Sequence, residues 1–259
     1  MADYRLGEVV WRELICPDVA RARAFYGELF GWSFLERPGT TEPSPGKSVP
    51  ITYTMIKNGE AFIGGMLTLP EPSPPPHWMA YVSVEDVDVA SERAKASGGS
   101  LIHGPQDLPG TGRFSIVKDP AGAAITAFRS SMGDGPSVYP PPVHSFCWES
   151  LHSGDASRAV DFYGSVFGWK KMQTGVPDAI VLGTGQTMVC DVQPASAGAP
   201  SRFVSHVLVP SLAAARERIP RLGGKVLAPA IPIPSFGQIA VLQDPQGVEL
   251  AIFEPTQAS

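Results

Sequence analysis

The sequence predicts an α+β chain of four βαβββ modules, arranged as two repeats, with helices outside mixed sheets. The first observation behind this is an internal repeat. Residues 11–32, WRELICPDVARARAFYGELFGW, and 148–169, WESLHSGDASRAVDFYGSVFGW, agree at 11 of 22 positions, which marks a duplicated structural unit. The second is a later pair of matches, Gly98-Gly99 with Gly223-Gly224 and Asp119-Pro120-Ala121-Gly122 with Asp244-Pro245-Gln246-Gly247. The third is punctuation: 27 Gly and 27 Pro in 259 residues argue for many short strands over a helical bundle.

The early matches are offset by 137 residues and the later ones by 125. A longer segment is therefore expected in the first copy, and the Pro/Gly-rich stretch 37–50 is its natural place. The domains implied are 1–130 and 143–259, joined by a linker at 131–142 whose Gly, Pro and Ser content marks it as a connection.

Each repeat begins with an apolar strand, VVWRELI or FCWESL. An amphipathic helix follows, with Asp18 or Asp155 as its N-cap and Gly31 or Gly168 as its stop. In the first helix Val19, Ala22, Tyr26, Leu29 and Phe30 fall on one face at helical spacing. WSFLE, ITYTMIK and AFIGGMLTL then read as strands, the last two joined by the Asn58-Gly59 hairpin signal. HWMAYVSV, the helix VDVASERAKAS and the strands SLIH, GRFSIVK and AAITAFR complete the first repeat. The second repeat follows the same order, with a helix over 211–222 and three strands after it. The DPxG segments read as hairpin turns and not as catalytic carboxylates. The Gly-Thr-Gly segments at 110–112 and 183–185 lack the spacing of a phosphate loop.

Composition closes other doors. The net charge of −5 gives no basic footprint for nucleic acid. No apolar run reaches the length of a membrane span. The N-terminal segment carries Asp3 and Glu8 and has no apolar stretch of the secretory kind. Three cysteines without CxxC spacing read as reduced thiols, so a cytoplasmic protein is expected.

The motif D-x(6)-FYG-x-x-FGW (Asp18 to Trp32, Asp155 to Trp169), the mid-repeat helix ending in GG and the DPxG turn resemble the vicinal oxygen chelate superfamily. This is the glyoxalase/bleomycin-resistance/dioxygenase fold, and the likeness covers both repeats. Within that superfamily the chain resembles the two-domain actinobacterial type often labelled hydroxylase or 27-kDa antigen. The resemblance implies that paired βαβββ modules curl into half-open cups that hold small ligands and, in the metalloenzymes, a divalent ion.

It also implies where the metal ligands should stand. The position seven residues before the capping Asp holds Trp11 or Trp148, and the start of the mid-repeat strand holds Met79 or Val204. Four residues past the Gly of the DPxG turn come Thr126 and Ala251. Four residues past Gly59 and Gly185 come Ile63 and Val189. These side chains do not supply the set of nitrogen, oxygen or thiolate donors that a divalent ion needs. The sequence therefore implies cups without a metal site and without a cofactor.

Strand alternation gives the expected ligand-facing residues. In the first repeat they are Trp11, Glu13, Met79, Tyr81, Thr126 and Phe128. In the second they are His144, Phe146, Trp148, Ser150, Val204, His206, Glu249 and Ala251. This mixture of aromatic and aliphatic side chains with a few polar groups suits a flat, apolar small molecule. Two functions from different classes remain open. One is a binder that sequesters a hydrophobic or aromatic metabolite or antibiotic, as in antibiotic resistance. The other is a metal-independent enzyme of secondary metabolism, a hydroxylase-like protein, isomerase or cyclase, with His206, Glu249 and Glu13 as acid/base candidates. A metal-dependent lyase or dioxygenase ranks third. The partner expected is a small molecule, with no nucleic acid and no membrane, and the chain is expected to be a monomer or a homodimer.

Overall fold

A computed structural model describes residues 3–44, 47–69, 74–196 and 198–256. Residues 45–46 of the insertion and 70–73 of the Pro-rich loop at 70–76 lie outside that range. The first module comprises β1 (Val9–Ile15), α1 (Val19–Phe30), β2 (Ser33–Ser44), β3 (Lys47–Asn58) and β4 (Ala61–Leu67). The second comprises β5 (His77–Ser83), α2 (Val87–Ala96), β6 (Ser100–Leu108), β7 (Gly112–Lys118) and β8 (Ala124–Ser130). In the second repeat, the third module holds β9 (Phe146–Ser153), α3 (Ala156–Phe167), β10 (Lys170–Met172), β11 (Ile180–Thr184) and β12 (Thr187–Pro194). The fourth holds β13 (Arg202–Leu208), α4 (Leu212–Arg221), β14 (Lys225–Val226), β15 (Ile231–Ile233), β16 (Gly237–Gln243) and β17 (Glu249–Pro255). In that module β14 and β15 both pair with β16, so the expected single strand is broken in two.

The helices form where capping and periodicity place them. Asp18 accepts from the Arg21 N–H at 2.9 Å and Asp155 from the Arg158 N–H at 3.0 Å, satisfying a donor that the first turn leaves open. Gly31 and Gly168 end these helices in the left-handed conformation, which glycine adopts without steric cost. The buried stripe of α1 is Ala22, Phe25, Tyr26, Leu29 and Phe30.

The longer segment of the first copy is built into a strand pair. β2 and β3 are 12 residues each, against 3 and 5 for their counterparts β10 and β11. Arg37 through Thr41 pair antiparallel with Tyr53 back to Val49. The segment's described Pro and Gly residues are accommodated in this long antiparallel pair, where a proline costs least when its missing N–H faces solvent.

The chain compacts into two units. The first comprises the residues up to Trp11, Met79–Val138 and Trp148–Val204; the second comprises Arg12–Trp78, Tyr139–Cys147 and the residues from Ser205 onward. Each unit thus combines one module of the first repeat with one of the second. Each module is mixed: β1 with β4, β5 with β8, β9 with β12 and β13 with β17 are parallel, and the remaining neighbours are antiparallel.

The repeated motifs make this exchange. In the first unit α2 packs on α3, and the core joins Ala80, Val82, Ile125 and Ala127 to Phe162, Tyr163, Val166 and Phe167. Tyr163 Oη donates to Asp119 at 3.1 Å. The same carboxylate accepts from the N–H groups of Ala121 and Ala123 at 2.9 and 2.8 Å. In the second unit α1 packs on α4. There Tyr26 Oη donates to Asp244 at 3.1 Å, and the Gln246 and Val248 N–H groups close the turn at 2.8 and 2.9 Å. The FYG tyrosine of one repeat therefore locks the DPxG turn of the other. Burial and the neighbouring aspartates push both phenols well above their ordinary pKa, so both stay protonated and act as donors. The GG signatures pair crosswise as well. A Cβ on Gly99 would lie 2.6 Å from the Phe162 ring, and one on Gly224 would lie 2.9 Å from the Phe25 ring.

Candidate functional site

In each module one sheet face meets the helices, and strand alternation turns the neighbouring side chains to the opposite face. In the first unit Ile125 and Ala127 enter the core, so Thr126 and Phe128 point to the other side. Tyr81 is the in-register partner of Thr126, and its ring meets Phe128 edge-on at 5.8 Å. Thr126 is fully buried, and its hydroxyl has no hydrogen-bond partner. Met79 and Val204 are buried and Trp11 is half-buried.

A polar arrangement on the face turned from the core lies on β9 and β12 of the first unit. Leu151, Cys190 and Val192 fill the core, which turns Trp148, Ser150 and Asp191 to the opposite face. Trp148 Nε1 donates to Asp191 Oδ1 at 2.7 Å and Ser150 Oγ donates to the same oxygen at 2.6 Å. Gln193 Nε2 donates to Oδ2 at 2.6 Å. Trp148 and Ser150 were expected here, whereas Asp191 was not. A signal was present, an acid alternating with the buried Cys190 and Val192, but counting along the strand from Gly185 led to Val189.

The count fails at a bulge. On β12, Met188 pairs with Gly183 and Cys190 with Leu182, leaving Val189 as the extra residue; on β4, Ile63 is extra in the same way. Both side chains pack against the hydrophobic cores, because a bulge resets the alternation. The expectation that Ile63 and Val189 face the ligand side is corrected accordingly.

In the second unit His206 is buried and lies opposite Ala251 in parallel register. Glu249, two residues before Ala251, shares that face and is half-buried. His206, Glu249 and Ala251 thus share one sheet face. His144 and Phe146 depart from the expected pattern. His144 sits outside β9 at φ 64°, and its ring lies 5.9 Å from that of Phe30. Desolvation, followed by the charge of Arg218, lowers the His144 pKa. Phe146 is seated in the core with its ring 5.5 Å from Trp32 and 5.2 Å from Trp78. His144 precedes β9 in a left-handed conformation, where strand alternation does not apply, while Phe146 opens the strand and is held in the aromatic cluster of Trp32 and Trp78.

Glu13 is half-buried on β1 and pairs with Gly65. Since Glu13 and Ser150 are repeat equivalents, Gly65 is the counterpart of Asp191, the in-register partner of Ser150. A Cβ on Gly65 would stand 2.0 Å from the Tyr53 hydroxyl, so the Tyr53 phenol covers that position.

Among the described residues, no three His, Cys, Asp or Glu side chains come together as a metal-holding group. The positions where the family's metalloenzymes place ligands carry Trp, Met, Thr, Val and Ala here, a donor set that does not fit a divalent ion. No helix of the described residues is long and apolar enough to cross a membrane.

Comparison with known proteins agrees with this architecture. Residues 5–126 match the Glyoxalase/Bleomycin resistance protein/Dioxygenase superfamily, and residues 150–253 match the glyoxalase-like domain family. The anthracycline biosynthesis protein DnrV of Streptomyces peucetius is 30% identical, over 98% of this chain and 95% of its own length. CFP32 of Mycobacterium tuberculosis (strain CDC 1551 / Oshkosh), which carries a provisional glyoxylase name, is 29% identical over 98% and 97%. The homoprotocatechuate 2,3-dioxygenase structure from Arthrobacter globiformis superposes with a TM-score of 0.64 at 15% identity, covering 98% of this chain and 81% of that one. The Mn(II)-bound glyoxalase from Novosphingobium aromaticivorans gives 0.60 at 14% identity, covering 96% and 82%. At such identity the two structures speak to the fold alone. The chain belongs to the glyoxalase/bleomycin resistance protein/dioxygenase superfamily, with two tandem glyoxalase-type domains.

Proposed function

We propose that the chain binds a small hydrophobic or aromatic molecule without a metal, as a sequestering or resistance protein. The observation that carries this reading is the residue set at the family's ligand-holding positions. Trp11, Met79, Thr126, Trp148, Val204 and Ala251 replace metal donors with side chains that make dispersion and stacking contacts. Tyr81, Phe128, Ser150 and Asp191 add aromatic surface and a few oriented polar groups, the usual composition of a small-molecule site. The likeness to DnrV points the same way, toward aromatic natural products.

The test is calorimetry of the full chain, before and after dialysis against EDTA, with a panel of aromatic natural products that includes anthracycline aglycones. Binding of at least one compound, equal in both preparations, is expected. Failure of the whole panel, or binding only after Mn(II), Fe(II), Ni(II) or Zn(II) is added, would overturn the reading.

A second reading, metal-independent acid/base catalysis, draws on the shared face of His206 and Glu249. An imidazole that shares a sheet face with a carboxylate is a chemically suitable pair for general acid–base work. It requires turnover of a bound compound that His206→Ala or Glu249→Ala lowers about 100-fold or more, the size of a general acid–base contribution. Turnover unchanged in both variants and in Glu13→Ala would remove these residues from any mechanism.

A further inference from the structure

We propose that Asp191 makes the β9–β12 face selective for an apolar ligand that carries a protonated amine. The inference rests on the small-molecule reading above and names the class of molecule. Asp191 is held from two sides: Oδ1 accepts from Trp148 Nε1 and Ser150 Oγ, and Oδ2 accepts from Gln193 Nε2. A carboxylate offers about four acceptor sites, so these three bonds leave one open on Oδ2. All three donors are neutral, so they orient the carboxylate without cancelling its charge. A protonated amine supplies both the missing donor and the missing charge, in the strongest class of hydrogen bond.

The surroundings favour the same ligand. The Trp148 indole lies beside the carboxylate, and an aromatic face attracts a cation and stacks on an apolar body. Asp191 is half-buried, with Cys190 and Val192 buried behind the strand, so its charge is screened less than one on an open surface. The equivalent position in the first repeat is Gly65 with Tyr53 over it, so this carboxylate distinguishes the second repeat.

The test uses the full chain and two probes of one shape, 1-naphthylmethylamine and 1-naphthalenemethanol, titrated at pH 7 by calorimetry. Wild type is compared with Asp191→Asn and Asp191→Leu, each checked for folding by circular dichroism. The wild type is expected to bind the amine about 10-fold or more tightly than the alcohol, the size of a charge-assisted over a neutral hydrogen bond. Both variants should lose that preference by weakening the amine alone. Equal binding of amine and alcohol to the wild type would overturn the amine selectivity and leave the small-molecule reading standing. A preference that persists in both variants would overturn the role of Asp191. Failure of the wild type to bind either probe would count against the small-molecule reading and the amine inference together. The wild-type ratio decides the selectivity even where a variant does not fold.

Discussion

The two compact units are built on one plan and differ where function would be decided. In both, the FYG tyrosine of one repeat donates to the DPxG aspartate of the other. In the first unit the β9–β12 face carries Asp191, held by Trp148, Ser150 and Gln193. In the second, the corresponding Gly65 is covered by Tyr53. The shared features are those that hold modules together, and the divergent ones lie on the face turned from the core. Duplication thus preserved the packing chemistry while freeing one copy of the ligand face from the other.

The largest of these effects is expected at the GG signatures. A Cβ on Gly99 would meet the Lys118 carbonyl at 2.4 Å, whereas one on Gly224 would meet the Gln243 carbonyl at 2.9 Å. Backbone oxygens cannot swing away, so Gly99→Ala should cost about 3 kcal/mol, near the top of the range for overpacking, and Gly224→Ala less. Urea unfolding of both variants checks the order, and a greater loss for Gly224→Ala would break the comparison.

The tyrosine latches should also be unequal. Tyr26 receives a hydrogen bond from Trp78 Nε1 at 3.2 Å, while Tyr163 has Phe203 edge-on at 5.6 Å in the corresponding place. Tyr26→Phe leaves the buried indole N–H as well as Asp244 short of a partner. It should cost about 2 kcal/mol, against about 1 kcal/mol for Tyr163→Phe, read as the difference in unfolding free energy.

Gly65→Ala sharpens the contrast between the two faces. The new methyl forces the Tyr53 hydroxyl aside, for a loss of about 1 kcal/mol. In a Tyr53→Ala background the same substitution should be nearly neutral. A double-mutant cycle measures that coupling, and purely additive losses would deny that Tyr53 covers Gly65.

The smallest effect concerns pH. Burial lowers the His144 pKa below 6.5, with Arg218 adding to it. The unfolded state then binds more protons than the folded one, so this contribution is present above pH 6.5 and lost as pH falls through the folded value. His144→Asn suits the left-handed backbone and should flatten the stability profile below pH 6.5. An unchanged slope would place the titration elsewhere.

Much of this was legible in the sequence because it is local. Asp18 and Asp155 cap helices, Gly31 and Gly168 end them, and the DPxG aspartates close turns on their own N–H groups, all within a few residues. The partner of each FYG motif was not legible, because both DPxG turns are chemically equivalent in one dimension and only packing selects between them. Asp191 was missed for a narrower reason: the bulges at Ile63 and Val189 shift strand parity by one residue. His144 lies outside β9 on left-handed backbone, beyond the reach of strand alternation, and long-range packing against Trp32 and Trp78 holds Phe146 in the core.

The central claim, apolar ligand binding without a metal, is tested most directly by calorimetry of the EDTA-dialysed chain against the aromatic panel. The account predicts saturable binding of at least one compound, unchanged when Mn(II), Fe(II), Ni(II) or Zn(II) is restored. Binding that appears only with the restored ion, or no binding to any member of the panel, would contradict it.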